Sequence, residues 1–319
     1  MESYRAAVVQ GAGIIECDVT FTKDRHLICR HSQCDLHTTT DVVLHPDLNA
    51  KCTTPWAPGV TPNCCASDFT LEEIKMLCAK MDYADNSAET AEEYVYGNVA
   101  YFRTDLYGRE CHEIPTHAQS IELGLEHGVK FTPELKGPSV EMPFEGDYTQ
   151  EHYAMQMIHE YIYYDVDPDD VWPQSFNWDD VNLWVTQTDY WQAVALEGKY
   201  DLMPEEYDAQ FAKLDPHVWY YAPPTQMLLA LDDHGNIVAS DLAKYLNDHG
   251  YYIITWTIER SDPLSITNGG FYYGTTGDSL MVDGDIMTTL YALDKEVGVV
   301  GVFSDWPATV TFYANCMGL

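Results

Sequence analysis

The chain has 319 residues, 46% of them hydrophobic, enough for a sizeable core in one large domain or two modest ones. Its 51 Asp+Glu against 16 Lys+Arg leave a formal charge of −35. That excludes a nucleic-acid partner, whose phosphates need a basic footprint, and electrostatic docking on anionic lipid. No apolar run approaches the roughly 18–20 residues of a membrane span.

The opening MESYRAAVVQGAGIIECDV holds no signal-peptide core and enters a helix-then-strand pattern at once, so the chain reads as cytosolic or as preceded by a leader outside it. Residues 4–12 read as the tail of a helix and 13–20 as a strand. The turn TKDRH leads into a second short strand, LICRH. Residues 32–112 read as irregular, with one helix near 69–80 capped by Ser67-Asp68.

From 113 onward a regular beat sets in. A helix ending on Gly128 is followed by strand VKFTPEL, helix QEHYAMQMIHEYIYY, strand VWPQSF and helix NWDDVNLWVTQT. Strand QAVALE, a helix near 204–214, strand HVWYYAP, a helix near 239–249 and strand YYIITWTI come next. A Gly-rich excursion through 268–285 precedes strand GVVGVF and helix DWPATVTFYANCM. Strands alternating with helices imply parallel pairing through right-handed crossovers. The count is seven strands of this type after an orphan helix, where eight close a barrel. One strand therefore reads as missing from the start.

Six of nine cysteines (Cys34, Cys52, Cys64, Cys65, Cys78 and Cys111) fall in the irregular region. No C-x-x-C spacing supports zinc, so these read as disulfides of an extracytoplasmic protein, with the connectivity open. Cys17 and Cys29 read as buried thiols on strands.

Side chains alternate along a strand, so Glu16 and Asp18 share one face and Cys17 takes the other. Two acids on a buried face require a compensating cation or a shifted pKa. In an α/β barrel the reactive groups stand at the carboxyl ends of strands. Glu16, Asp18, His31, Glu134 and Lys136 lie at such positions. Three carboxylates make an all-oxygen site suited to one hard divalent cation, Mg²⁺ or Ca²⁺. A cation beside a lysine can hold a phosphate, and a nearby histidine can move a proton near neutral pH.

The run GAGIIECDVTFTKDRHLICRH, then TPELK, QSFNW and the closing GVVGVFSDWPATVTFYAN, resemble the glycerophosphodiester phosphodiesterase family in matching order over nearly the whole chain. The insertion RHSQCDLHTTTDV with its cysteines is similar to the secreted members. The resemblance implies a TIM (β/α)8 barrel of the phospholipase-C-like type over 1–319, lacking its first strand, with a cysteine-rich insertion at 32–112. It implies hydrolysis of glycerophosphodiesters to sn-glycerol 3-phosphate and an alcohol, by an extracellular or periplasmic enzyme. Glu16, Asp18 and Glu134 become metal ligands and His31 one of two acid/base histidines. Lys136 becomes a catalytic and substrate-binding cation, and Gln174 and Trp256 line the pocket.

Two departures stand out. The family's His-Arg pair at the end of the first barrel strand has no counterpart here, which reads as a truncated start and implies impaired turnover. Pro133 interrupts the E-x-K strand, which a strand end tolerates. A sphingomyelinase-type phospholipase D and a catalytically silent binding module on the same barrel are the competing readings. His26, His37 and His45 read as solvated loop residues, and His112, His117 and His127 show no ligand spacing. DVDPDD lacks the glycine and closing glutamate of an EF-hand, and LDDHGN and VDGD read as turns.

Overall fold

A computed structural model describes residues 1–97, 99–103, 110–267 and 269–319. Residues 98 and 104–109 of the predicted insertion, and 268 at the start of the predicted Gly-rich excursion, lie outside the described residues. The chain forms two compact units, one of residues 1–6 and 14–171, the other of 7–13 and 172–319. A helix over Glu2–Val9 opens the chain. Among the described residues no helix is long and apolar enough to cross a membrane.

The first unit holds strands β1 (Ile14–Ile15), β2 (Asp18–Phe21), β3 (Leu27–Cys29), β4 (Lys130–Phe131) and β5 (Glu134–Leu135). β1 runs parallel to β4 and β2 parallel to β5. The amides of Thr132, Glu134 and Lys136 donate in turn to the carbonyls of Ile15, Cys17 and Val19. Every second amide therefore faces this neighbour, and Pro133 falls between two donors, so its missing N–H costs this ladder nothing.

β3 returns antiparallel to β2, with Val19 opposite Cys29. It belongs to a hairpin and not to the parallel series. That geometry corrects the reading of Cys17 and Cys29 as thiols: they form a disulfide across the hairpin. Cys17 lies two residues from Val19 on the same strand face, diagonally across from Cys29.

The cysteine-rich segment closes on Cys34–Cys65, Cys52–Cys64 and Cys78–Cys111, and Cys316 remains as an exposed thiol. Its core packs Leu36, Val42, Phe69, Ile74 and Tyr94. The helix expected over 69–80 is only Leu71–Ile74, capped by Thr70 and boxed by Glu73, after a 3₁₀ turn at Ala66–Asp68. Helix His117–His127 begins at a Thr116–Gln119 capping box and stops at Gly128, whose φ of 66° is the left-handed conformation glycine favours. Its Gly124 lies so close to the Phe131 ring that no Cβ fits.

The second unit holds β6 (Gln174–Ser175), β7 (Val194–Leu196), β8 (Tyr220–Ala222), β9 (Leu229–Leu231), β10 (Ile237–Ala239), β11 (Tyr252–Thr255) and β12 (Gly301–Val302). β6, β7, β8, β11 and β12 are parallel neighbours in that order. The turn read in LDDHGN joins a β9–β10 hairpin, with Asp232 accepting from the His234 and Asn236 amides. Helices Trp178–Gln187, Asp241–Asp248 and Ala308–Met317 take their expected places, whereas 204–214 divides into a 3₁₀ turn at Pro204–Glu206 and a helix at Tyr207–Phe211.

Candidate active site

The parallel pairing of β2 with β5 places Asp18 directly beside Glu134. Strand alternation then puts Glu16 with Asp18, and Lys136 with Glu134, on one face. Carboxylate oxygens of Glu16, Asp18 and Glu134 all lie within 4.8 Å of one another. Glu134 is buried, and the other two are half-buried. The Lys136 ammonium lies 2.7 Å from Glu134 Oε1 and 3.5 Å from Asp18 Oδ1.

The electrostatics follow from that crowding. Burial, and then the Asp18 charge, push the Glu134 carboxyl up to about 7, against the pull of Lys136. Burial opposes charge on Lys136, but Asp18 and Glu134 outweigh it and hold the ammonium above its ordinary value. Asp18 Oδ1 is buried and receives no hydrogen bond. An all-oxygen donor set with a buried acceptor still open fits a hard divalent cation.

His31 is exposed and lies two residues beyond β3. The Arg30 amide donates to the Asp18 carbonyl at 2.7 Å, which ties the chain just before His31 to the strand bearing the acids. Gln174 and Trp256 belong to the second unit, at the first residue of β6 and just past β11. Gln174 is buried, and the half-buried Trp256 donates its indole N–H to Ala222 O at 2.9 Å.

Tyr4, absent from the sequence-based set, belongs to the site's surroundings. Burial, and then the Asp18 charge, raise its hydroxyl pKa far above the phenol range. No motif marks it. His117, which shows no ligand spacing in the sequence, has a buried ring whose Nδ1 lies 2.8 Å from Glu160. The stretch DVDPDD holds a 3₁₀ turn at Pro168–Asp170 capped by Asp167.

Residues 1–309 match the family described as "Glycerophosphoryl diester phosphodiesterase family". The chain is 42% identical over 247 residues to an "Extracellular protein" of Arthroderma benhamiae, covering 75% of this chain and 100% of that one. It is 38% identical over 139 residues to a glycerophosphodiester phosphodiesterase of Arabidopsis thaliana, covering 43% of this chain and 32% of that protein. Among solved structures, a candidate glycerophosphoryl diester phosphodiesterase from Silicibacter pomeroyi DSS-3 superposes with a TM-score of 0.63 at 17% identity, over 100% of this chain and 89% of the other. An Oleispira antarctica phosphodiesterase in complex with the product sn-glycerol-3-phosphate gives 0.57 at 15% identity, over 98% and 90%. The fold is the α/β, TIM-barrel-like one of these proteins.

Proposed function

Because the chain belongs to the glycerophosphoryl diester phosphodiesterase family, we propose that it hydrolyses glycerophosphodiesters to sn-glycerol 3-phosphate and an alcohol with the help of one divalent cation. The observation that carries the reading is the convergence of Glu16, Asp18 and Glu134 within 4.8 Å beside Lys136. These three carboxylates would hold Mg²⁺ or Ca²⁺, which supplies positive charge to the phosphate oxygens when bound. Lys136 adds a second cation on the same face, where negative charge builds during displacement at phosphorus. His31 exchanges the proton, either from the attacking oxygen or to the leaving alcohol. The family resemblance assigns Gln174 and Trp256 to substrate binding. Four disulfides and an extracellular relative support action outside the cell.

The family chemistry uses two histidines and the motif match supplies only His31. Turnover by this 319-residue chain is therefore expected to be weak while metal binding is intact. The test pairs calorimetric titration of Mg²⁺ and Ca²⁺ with an assay of sn-glycerol 3-phosphate release from glycerophosphocholine. Glu134→Gln should weaken metal binding at least tenfold, and His31→Ala should abolish residual release without touching metal affinity. Metal binding indifferent to Glu134→Gln would sink the site. Choline released from sphingomyelin, with the phosphate left on the ceramide part and no glycerophosphocholine cleaved, would favour the phospholipase D reading.

A further inference from the structure

Five aromatic side chains of the second unit gather at the carboxyl ends of its parallel strands. Phe176 follows β6, Tyr200 lies just beyond β7, and Trp256 follows β11. Phe271 and Tyr272 come from the 3₁₀ turn Gly270–Tyr273. Trp256 contacts Phe176, Tyr200 and Tyr272 at centroid distances of 5.8, 6.1 and 5.9 Å. Phe271 contacts Tyr200 and Tyr272, each at 5.1 Å.

One feature separates this cluster from ordinary core. Phe176, Tyr200 and Phe271 remain 43%, 47% and 45% exposed although they adjoin one another through Trp256. Scattered exposed rings need no explanation, but a contiguous set does. The rings stand at 71° to 84° to one another in all five contacts, the edge-to-face arrangement that aromatic pairs prefer. A sugar stacks on a flat platform, and no two of these contacting faces are coplanar. Walls near right angles suit a rounded group that presents the same surface in several directions.

Charge decides which rounded group. Aromatic faces are negative and attract cations within about 6 Å of the ring centroid. Acids outnumber lysine and arginine several-fold over residues 172–319. Lys199, the cation beside Tyr200 in sequence, is engaged by Glu206 at 2.5 Å. We propose that Phe176, Tyr200, Trp256, Phe271 and Tyr272 form a binding site for a quaternary ammonium group. Such a group keeps its charge at every pH and sheds its hydration readily, so an aromatic site suits it better than it suits a primary ammonium.

Calorimetric titration with choline and with 3,3-dimethylbutan-1-ol, its neutral carbon isostere, tests this directly and needs no turnover. Choline is expected to bind about tenfold more tightly than the isostere. Tyr200→Ala and Phe271→Leu should each weaken choline several-fold, while Tyr200→Phe, which keeps the ring, should retain it. Phe271→Leu keeps an apolar side chain of comparable bulk, so the fold is preserved while the π face is lost. Equal affinity for the two ligands, or full choline affinity in Phe271→Leu, would overturn the proposal. Glycerophosphocholine as a third titrant separates the sources: tighter binding than choline marks a group carried on a phosphodiester, and equal binding marks the free cation.

Discussion

At Glu134, burial and the neighbouring Asp18 charge both oppose ionisation, and Lys136 at 2.7 Å answers both. Removing that ammonium leaves the buried Glu134 carboxylate facing that of half-buried Asp18. Lys136→Met should therefore lose about 2 kcal/mol of stability in chelator, and added Mg²⁺ or Ca²⁺ should shrink the gap by taking over the neutralisation. Urea unfolding with and without the ion checks this, and a gap of the same size in both would count against a shared cation site. Asp35 offers a pH test elsewhere in the first unit. Burial raises its carboxyl to about 6, against the pull of Arg30 and the Ser32 amide. The folded state then holds a proton that the unfolded chain releases near 3.8, so this contribution is complete below that value and is lost as pH rises through 6. About 2 kcal/mol of stability should disappear over that window, and Asp35→Asn should flatten it in denaturation curves taken from pH 4 to 7. Strand alternation made it legible that Glu16 shares a face with Asp18 and Glu134 with Lys136, while the meeting of the two pairs comes from the pairing of β2 with β5. Tyr4 was not legible, since only the folded neighbourhood brings it near Asp18.

Among the elements, the hairpin of β2 and β3 ties the acid-bearing strand to the segment that ends in His31. Its disulfide joins residues twelve apart in sequence. Replacing both Cys17 and Cys29 by serine should cost about 2–3 kcal/mol and loosen metal affinity, measured by thermal unfolding and titration of the same preparation. Unchanged values for both would show that the strands hold their places without it. This pairing escaped the sequence because it requires β3 to return antiparallel, while the surrounding beat of strand and helix announces parallel neighbours. Helix His117–His127 was legible since both its ends carry local signals, the Thr116 box and Gly128. The stretch 69–80 was not. Its helical pattern yields after Ile74, where Cys78 exchanges backbone and side-chain bonds with Asp41 and its sulfur is joined to Cys111. Long-range ties there override helix propensity. The β9–β10 hairpin announced only its turn, because LAL and IVA are too short to show a period.

For the molecule as a whole, a formal charge of −35 on 319 residues means that like charges repel throughout the folded state. Screening should relieve this. Raising NaCl from about 0.01 M to 0.5 M, where the Debye length falls from roughly 30 Å to a few Å, should raise the melting temperature by several degrees. A flat or falling melting temperature would show that local ion pairs outweigh the global field. The same ladder that aligns Asp18 with Glu134 has a further consequence. Because successive strand residues point to opposite faces, one residue inserted between Val129 and Glu134 would rotate Glu134 away and leave the fold's hydrophobic contacts to find a new compromise. Surface loops generally tolerate lengthening, but this six-residue stretch has no such freedom: its length is part of the chemistry.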